Sequence, residues 1–171
     1  MSFATLAHER YSCRAFDPDL PVAADELAAL LDVVRAAPTA KNLQPFHAWV
    51  FQDPEDLEKI RSCTPCHYGA PLLVLFGADE GQAFVRSDDG LNFAQVDAAI
   101  VATHYMLAAT DLGLDTCWVG LIDVARVHEL FPQTAGHTLV GLFPTGHALE
   151  GKGGPSERHT LRKPLDEIVS Q

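Results

Sequence analysis

The sequence predicts a single α+β domain, and three observations carry that prediction. Stretches with helical periodicity alternate with short runs rich in aromatic and β-branched residues. No internal repeat, low-complexity tract or linker divides residues 1–171. Apolar residues make up 47 % and charged residues 20 %, the composition of a globular chain that buries roughly 70 % of its unfolded surface.

The elements follow in order. Ser2 can cap a short amphipathic helix with Phe3, Leu6 and Ala7 on one side, and Asp17, Pro18 and Pro21 mark a turn. From Asp25, Leu27, Leu30, Leu31 and Val34 recur at helical spacing; Asp25 and Glu26 suit the positive end, and Pro38 stops the helix. Phe46 to Phe51 reads as a strand and Pro54 to Arg61 as a short helix. Leu72 to Phe76 is unbroken apolar sequence, which predicts a strand covered on both faces. Gly77 to Asn92 is polar and reads as a surface excursion or lid. Val96 to Asp111 is apolar on nearly every side of the helical wheel, so that helix is buried all round or partly against another subunit. Gly113 suits its left-handed end. Thr116 to Val119 reads as a short strand, Asp123 as the cap of a helix Val124 to Phe131, and Thr138 to Phe143 as a strand. Lys152 to Gln171 lacks core-like periodicity until Leu165, Ile168 and Val169, and is expected to reach away from its own core.

Charge narrows the function. With 12 basic and 23 acidic residues the net charge is -11, which disfavours nucleic acid and anionic lipid as partners. An anionic ligand then needs a local cluster of the few cations. No apolar run is long enough to suggest a membrane span, and Met1 to Arg14 does not read as a secretory signal. Cys13, Cys63, Cys66 and Cys117 therefore read as reduced thiols in a cytoplasmic protein.

Four motifs could carry chemistry. Arg10-Tyr11-Ser12-Cys13-Arg14 sets two guanidinium groups about a hydroxyl, able to grip a terminal phosphate; ordinary surface arginines at a helix end are the alternative. In Pro38-Thr39-Ala40-Lys41-Asn42-Leu43-Gln44-Pro45, paired amides suit the edge of a neutral heterocycle, or else satisfy their own backbone. Cys117-Trp118-Val119-Gly120 offers a glycine where backbone can approach a flat ligand, or simply a strand end. Arg162-Lys163 is a second basic pair, on a phosphate or on a solvated tail.

Taken in order, these blocks resemble the nitroreductase family over nearly the whole chain. Arg10-Tyr11-Ser12-Cys13-Arg14-Ala15-Phe16 matches its Arg-x-Ser-x-Arg/Lys-x-Phe opening, and Ala37 to Phe46 its Ala-Pro-Ser-x-x-Asn-x-Gln-Pro-Trp loop. Tyr68-Gly69-Ala70-Pro71, Asp97-Ala98-Ala99-Ile100, Leu112 to Gly120, and Arg162 to Val169 continue the likeness. Phe46 replaces the frequent Trp, and Gly146-His147-Ala148 stands where the family has Gly-Tyr-Pro.

The resemblance implies a central, mostly antiparallel sheet flanked by helices, in a homodimer that exchanges terminal segments and holds FMN at each end of its interface. Arg10, Tyr11, Ser12 and Arg162 or Lys163 would hold the phosphate end, and Arg14 would reach the ribityl chain and ring. Pro38, Thr39 and Ala40 would come from the partner subunit, Asn42 and Gln44 would line the ring, and the backbone at Val119 and Gly120 would face its hydride-accepting nitrogen. The implied activity passes reducing equivalents from NADH or NADPH to a small electron-poor acceptor by a ping-pong order, with the cofactor carrying the chemistry and no catalytic acid, base or nucleophile nominated. Flavin storage or sensing without turnover is the alternative. Cys63-Thr64-Pro65-Cys66-His67 also matches a covalent haem pattern and half a zinc site, and is read as coincidence in a helix-to-strand connection.

Overall fold

A computed structural model describes residues 2–170, and side-chain caps set where most of its helices begin. Helix α1 (Phe3–Glu9) starts where Ser2 Oγ accepts the Thr5 amide at 3.2 Å. Helix α2 (Ala24–Ala36) begins one residue before Asp25, with Glu26 Oε2 accepting the Ala23 N–H at 2.8 Å. Helix α3 (Pro54–Arg61) opens on Asp53, which accepts from the Glu55 amide. Each cap satisfies an amide that has no partner inside its helix. Helix α4 (Ala94–Asp111) starts two residues ahead of Val96, because Asn92 Oδ1 accepts the Ala94 amide at 2.9 Å. Helix α5 (Val124–Leu130) opens on Asp123, as its sequence predicts.

Strands β1 (Phe46–Phe51), β2 (Leu72–Ala78), β3 (Asp115–Thr116) and β4 (Thr138–Gly146) form one antiparallel sheet in the order β1-β2-β4-β3. Every residue of β2 is buried, so the covered central strand is where the apolar run placed it. Its alternate side chains feed two cores. Leu72, Val74 and Phe76 pack with Phe143, Val101 and Tyr105 on the α2 and α4 side. Leu73 and Leu75 pack with Trp49, Phe51, Ile60 and Val127 on the α3 and α5 side. The result is an α+β sheet with helices on both faces.

Three expectations are corrected. Gly77 and Ala78 belong to β2, so the surface excursion begins at Asp79; a bridge between Val85 and Asn92 and an ion pair between Arg86 and Asp89 fold it back on itself. The strand expected over Thr116 to Val119 breaks after Thr116. Pro144, opposite Cys117, has no N–H to donate there, and pairing resumes in the same register as an isolated bridge between Val119 and Leu142, with the Trp118 ring lying across Gly141. The tail does not simply leave its core: Leu149 N–H bonds Ala15 O at 2.9 Å, and Gly153 is buried beside the same segment. Beyond that crossing, Leu161, Leu165, Ile168 and Val169 are exposed.

Helix α4 buries one face, with Ala94, Asp97, Ala98, Val101, Ala102, Tyr105 and Ala109 inward. Its outer face is apolar too. Val96, Ala99 and Ile100 line one open groove of 430 Å³, and Leu107 lies with Phe3, Leu6 and Val33 in another of 550 Å³ between α1, α2 and α4. No described helix is long and apolar enough to cross a membrane.

Candidate functional site

The first motif leaves α1 as an extended segment pinned to the sheet edge. Cys13 N–H bonds Thr116 O at 3.0 Å, and Phe16 N–H bonds Tyr68 O at 3.1 Å. Cys13 and Phe16 turn into the core, leaving Arg14 exposed and Ser12 half-buried. The tail crosses the same segment at Gly153, where a Cβ would lie 2.6 Å from Ala15 O, so only glycine lets it pass this close. The tail then lays Ser156, Arg158, His159 and Arg162 opposite Arg10, Tyr11, Ser12 and Arg14, around a cavity of 160 Å³. The Tyr11 and His159 rings meet edge to face at 6.3 Å.

Charge distinguishes this cavity. Of the eight arginines in the chain, four line it. Arg35, Arg86 and Arg126 pair with carboxylates on their own helix or turn, and Arg61 bonds Ala70 O. Among the described residues none of the four cavity arginines makes an ion pair; Arg14 and Arg162 reach only the carbonyls of Ser12 and Leu161. Four like charges gathered in an acidic protein repel one another until an anion fills the gap. An adjoining recess shares Arg14, Ser156 and Arg158 and adds the carboxylate of Glu157. Burial, with the Asp115 carboxylate beside it, raises the Tyr11 phenol well above its ordinary value, so it remains a neutral donor. Burial likewise pushes the Cys13 thiol up to about 11 and raises Cys117 against the pull of Arg14, which keeps both protonated near neutrality. Guanidinium, hydroxyl and phenol donors around so small a space suit a phosphomonoester head and leave no room for a fused ring system.

The other predicted residues lie elsewhere. None of Pro38, Thr39, Ala40, Asn42 and Gln44 lines the cavity. Their loop is tied by Gln44 N–H to Thr39 Oγ1 at 3.0 Å and by Ala40 N–H to Asp97 Oδ1 at 2.9 Å. The Gln44 side chain donates to Asn42 O at 3.2 Å. Lys41, Asn42 and Gln44 adopt φ of 53°, 56° and 53°, left-handed backbone that costs a residue other than glycine or asparagine on the order of 1–2 kcal/mol. The N–H and C=O of Val119 are both bonded to Leu142 at 2.9 Å, and Gly120 is the exposed member of the pair. Lys163 also stays outside the cavity, with Glu167 at 3.9 Å.

Sequence reasoning missed Ser156, Arg158 and His159; the signal was two further basic side chains in a short stretch of an acidic chain. The Cys63–His67 segment ties α3 to the turn before α5. Thr64 Oγ1 donates to Leu121 O at 2.6 Å, and Asp123 N–H bonds Cys63 O at 2.8 Å. No three metal-binding groups cluster among the described residues.

The Nitroreductase family model matches residues 7–66 and 63–147. The chain belongs to the nitroreductase family. Its fold superposes on a nitroreductase family protein of Clostridium difficile 630 with a TM-score of 0.90 and 34 % identity, covering 99 % of this chain and 98 % of that one. An FMN-dependent nitroreductase of Clostridium difficile R20291 shares the fold with a TM-score of 0.77, at 21 % identity and over 99 % and 98 % of the two chains. An FMN reductase [NAD(P)H] of Bacillus subtilis (strain 168) is 30 % identical over 120 residues, 61 % of this chain and 48 % of that protein. The family match ends at residue 147, so the cavity joins a matched nitroreductase segment, Arg10 to Arg14, to a tail outside the match.

Proposed function

We propose that this nitroreductase-family protein is an FMN-dependent oxidoreductase that works as a homodimer. It passes reducing equivalents from NADH or NADPH to an electron-poor small molecule, such as a nitroaromatic, a quinone or an unsaturated carbonyl compound. The observation that carries this reading is the set of four arginines, without ion pairs among the described residues, around one cavity sized for a phosphate. The relatives named for FMN and NAD(P)H supply the cofactor and the donor. When bound, FMN supplies a ring that accepts and passes on hydride.

Arg10, Ser12, Arg158 and Arg162 hold the phosphate through charge-assisted bonds, with Tyr11 as a neutral donor. Arg14, shared by the cavity and the recess beside it, extends towards the ribityl chain and offers positive charge where negative charge develops on the ring. Asn42 and Gln44 meet the polar edge of the ring, for which the Gln44 amide exchanges its bond to Asn42 O for the ligand. The exposed Gly120 would offer its N–H to the hydride-accepting side. The protein's part is position and electrostatics, so no side chain acts as acid, base or nucleophile, and donor and acceptor use the site in turn.

Two copies complete the site. The apolar outer face of α4 and the exposed apolar tail residues cover one another across subunits, which brings the partner's Pro38–Ala40 to the ring. The test is the absorbance spectrum of the purified protein, followed by anaerobic titration with NADH and NADPH and then a panel of acceptors. The expected result is a flavin spectrum that bleaches with a donor and recovers with an acceptor. A flavin spectrum that no donor bleaches shows storage or sensing instead, and a colourless protein that binds no added FMN overturns the reading.

A further inference from the structure

Asp97 opens one of the family-like blocks, yet it is a buried carboxylate to which neither that block nor the phosphate cavity assigns a role. It lies in the first turns of α4 and is 1 % exposed. Its Oδ1 accepts the Ala40 N–H at 2.9 Å, a bond between residues 57 apart in sequence. Its Oδ2 is buried and has no hydrogen-bond partner among the described residues. Its helix neighbours Ala94 and Ala98 pack in a small apolar cluster with Ala78, Phe46 and Ala83. A half-satisfied carboxylate in such surroundings is unfavourable against an apolar side chain of similar size. Its presence therefore calls for a benefit other than packing.

The benefit lies in the loop it grips. Lys41 and Gln44 both adopt left-handed backbone with no glycine to ease it, and Gln44 does so immediately before Pro45. Such a conformation persists only where its surroundings fix it. Asp97 fixes the entry through Ala40, and Thr39 Oγ1 fixes the exit through the Gln44 amide. Between the two ties, Lys41 Nζ rests 4.3 Å above the Phe84 ring. We propose that Asp97 is a positioning residue: its buried carboxylate holds the Pro38–Pro45 loop in the strained form in which Asn42 and Gln44 meet the flavin ring. This rests on the FMN reading above, and its mode of action is indirect, through Ala40.

Two loss variants and one rescue test it on the full-length protein. Asp97→Ala removes the carboxylate, and Asp97→Leu removes it while filling the space, so that an Ala variant that fails to fold does not decide the matter. Asp97→Asn keeps an oxygen for the Ala40 N–H. Limited trypsin digestion reads the loop directly, because cleavage after Lys41 releases a fragment of residues 1–41 identifiable by mass. The loss variants should be cut there about tenfold faster than wild type, the effect expected of one lost charge-assisted bond. With FMN saturating, turnover of NADH with menadione should fall about tenfold and the visible circular dichroism of bound flavin should change, while Asp97→Asn stays within about threefold of wild type on both. Unchanged cleavage at Lys41 overturns the proposal. So does faster cleavage with unchanged turnover and dichroism, or an Asn variant as impaired as the Ala variant. A wild-type protein that binds no FMN removes the ring-site role along with the functional reading, and the digestion then reports only whether Asp97 holds the loop.

Discussion

Arg10 and Arg14 face the tail because the residues between and beyond them are drawn elsewhere: Cys13 and Phe16 enter the core, and Thr116 holds the backbone straight. Their contribution to binding follows from that geometry. Each charge-assisted bond to a phosphate is worth about 1.5–3 kcal/mol, so an Arg10→Ala/Arg14→Ala double variant should bind FMN at least about 100-fold more weakly. It should purify colourless, as the flavin-to-protein absorbance ratio will show. A double variant that purifies fully yellow contradicts the site. The reason Arg10, Arg14 and Arg162 could be picked from sequence is statistical contrast: adjacent or closely spaced cations are conspicuous in a chain of net charge -11. Arg158 and Arg162 repeat the four-residue spacing of Arg10 and Arg14, but Arg158 lies outside every family-like block and Glu157 precedes it. Lys163 had the contrast but turns towards Glu167, because a 3-10 turn at Leu165–Glu167 brings that carboxylate back along the chain. Asp97 heads a block that resembles the family, but its bond to Ala40 spans 57 residues and leaves no local pattern.

Among the elements, the legible ones are those whose signal is local. Strand β1 and helix α3 occupy the bounds read from their periodicity and caps, since a strand of aromatic and β-branched residues and an Asp-Pro start need no distant partner. Strand β3 ends earlier than its sequence predicts because a distant proline faces it: Cys117 N–H bonds Pro144 O at 3.3 Å, and Pro144 has no N–H to return the bond. The Trp118 indole lies against Gly141 on β4, and its Nε1 donates to Val140 O at 3.3 Å. That contact packs the sheet edge between Thr116 and Val119, which keep one register against Thr145 and Leu142. A methyl group at position 141 would lie 2.4 Å from the indole nitrogen, so Gly141→Ala must displace the ring. Overpacking of this kind costs about 1–3 kcal/mol, and about 2–4 °C is lost per kcal/mol in a chain of this size. A melting temperature lower by several degrees is expected from differential scanning calorimetry. An unchanged melting temperature would mean that the indole does not hold this edge of the sheet.

At the scale of the whole molecule, the distribution of apolar surface argues for association. Each copy carries a net charge of -11, so like copies repel at long range and only contact area can hold them together. That area exists on both sides of the proposed exchange: the outer face of α4 with its two open grooves, and a tail whose Leu161, Leu165 and Ile168 are each more than 60 % exposed. Ile100 lines a groove and is absent from the phosphate cavity, which makes it the place to separate assembly from cofactor chemistry. Ile100→Glu should shift the sedimenting species from a dimer towards the 18.5 kDa monomer, because a carboxylate in an apolar contact must either lose its water or keep the surfaces apart. The same variant should lose most of its FMN, although every arginine of the cavity is intact, because the partner no longer supplies Pro38–Ala40. A monomeric variant that keeps its FMN would show that one chain suffices to hold the cofactor, and the shared site would have to be abandoned even if the dimer itself were real.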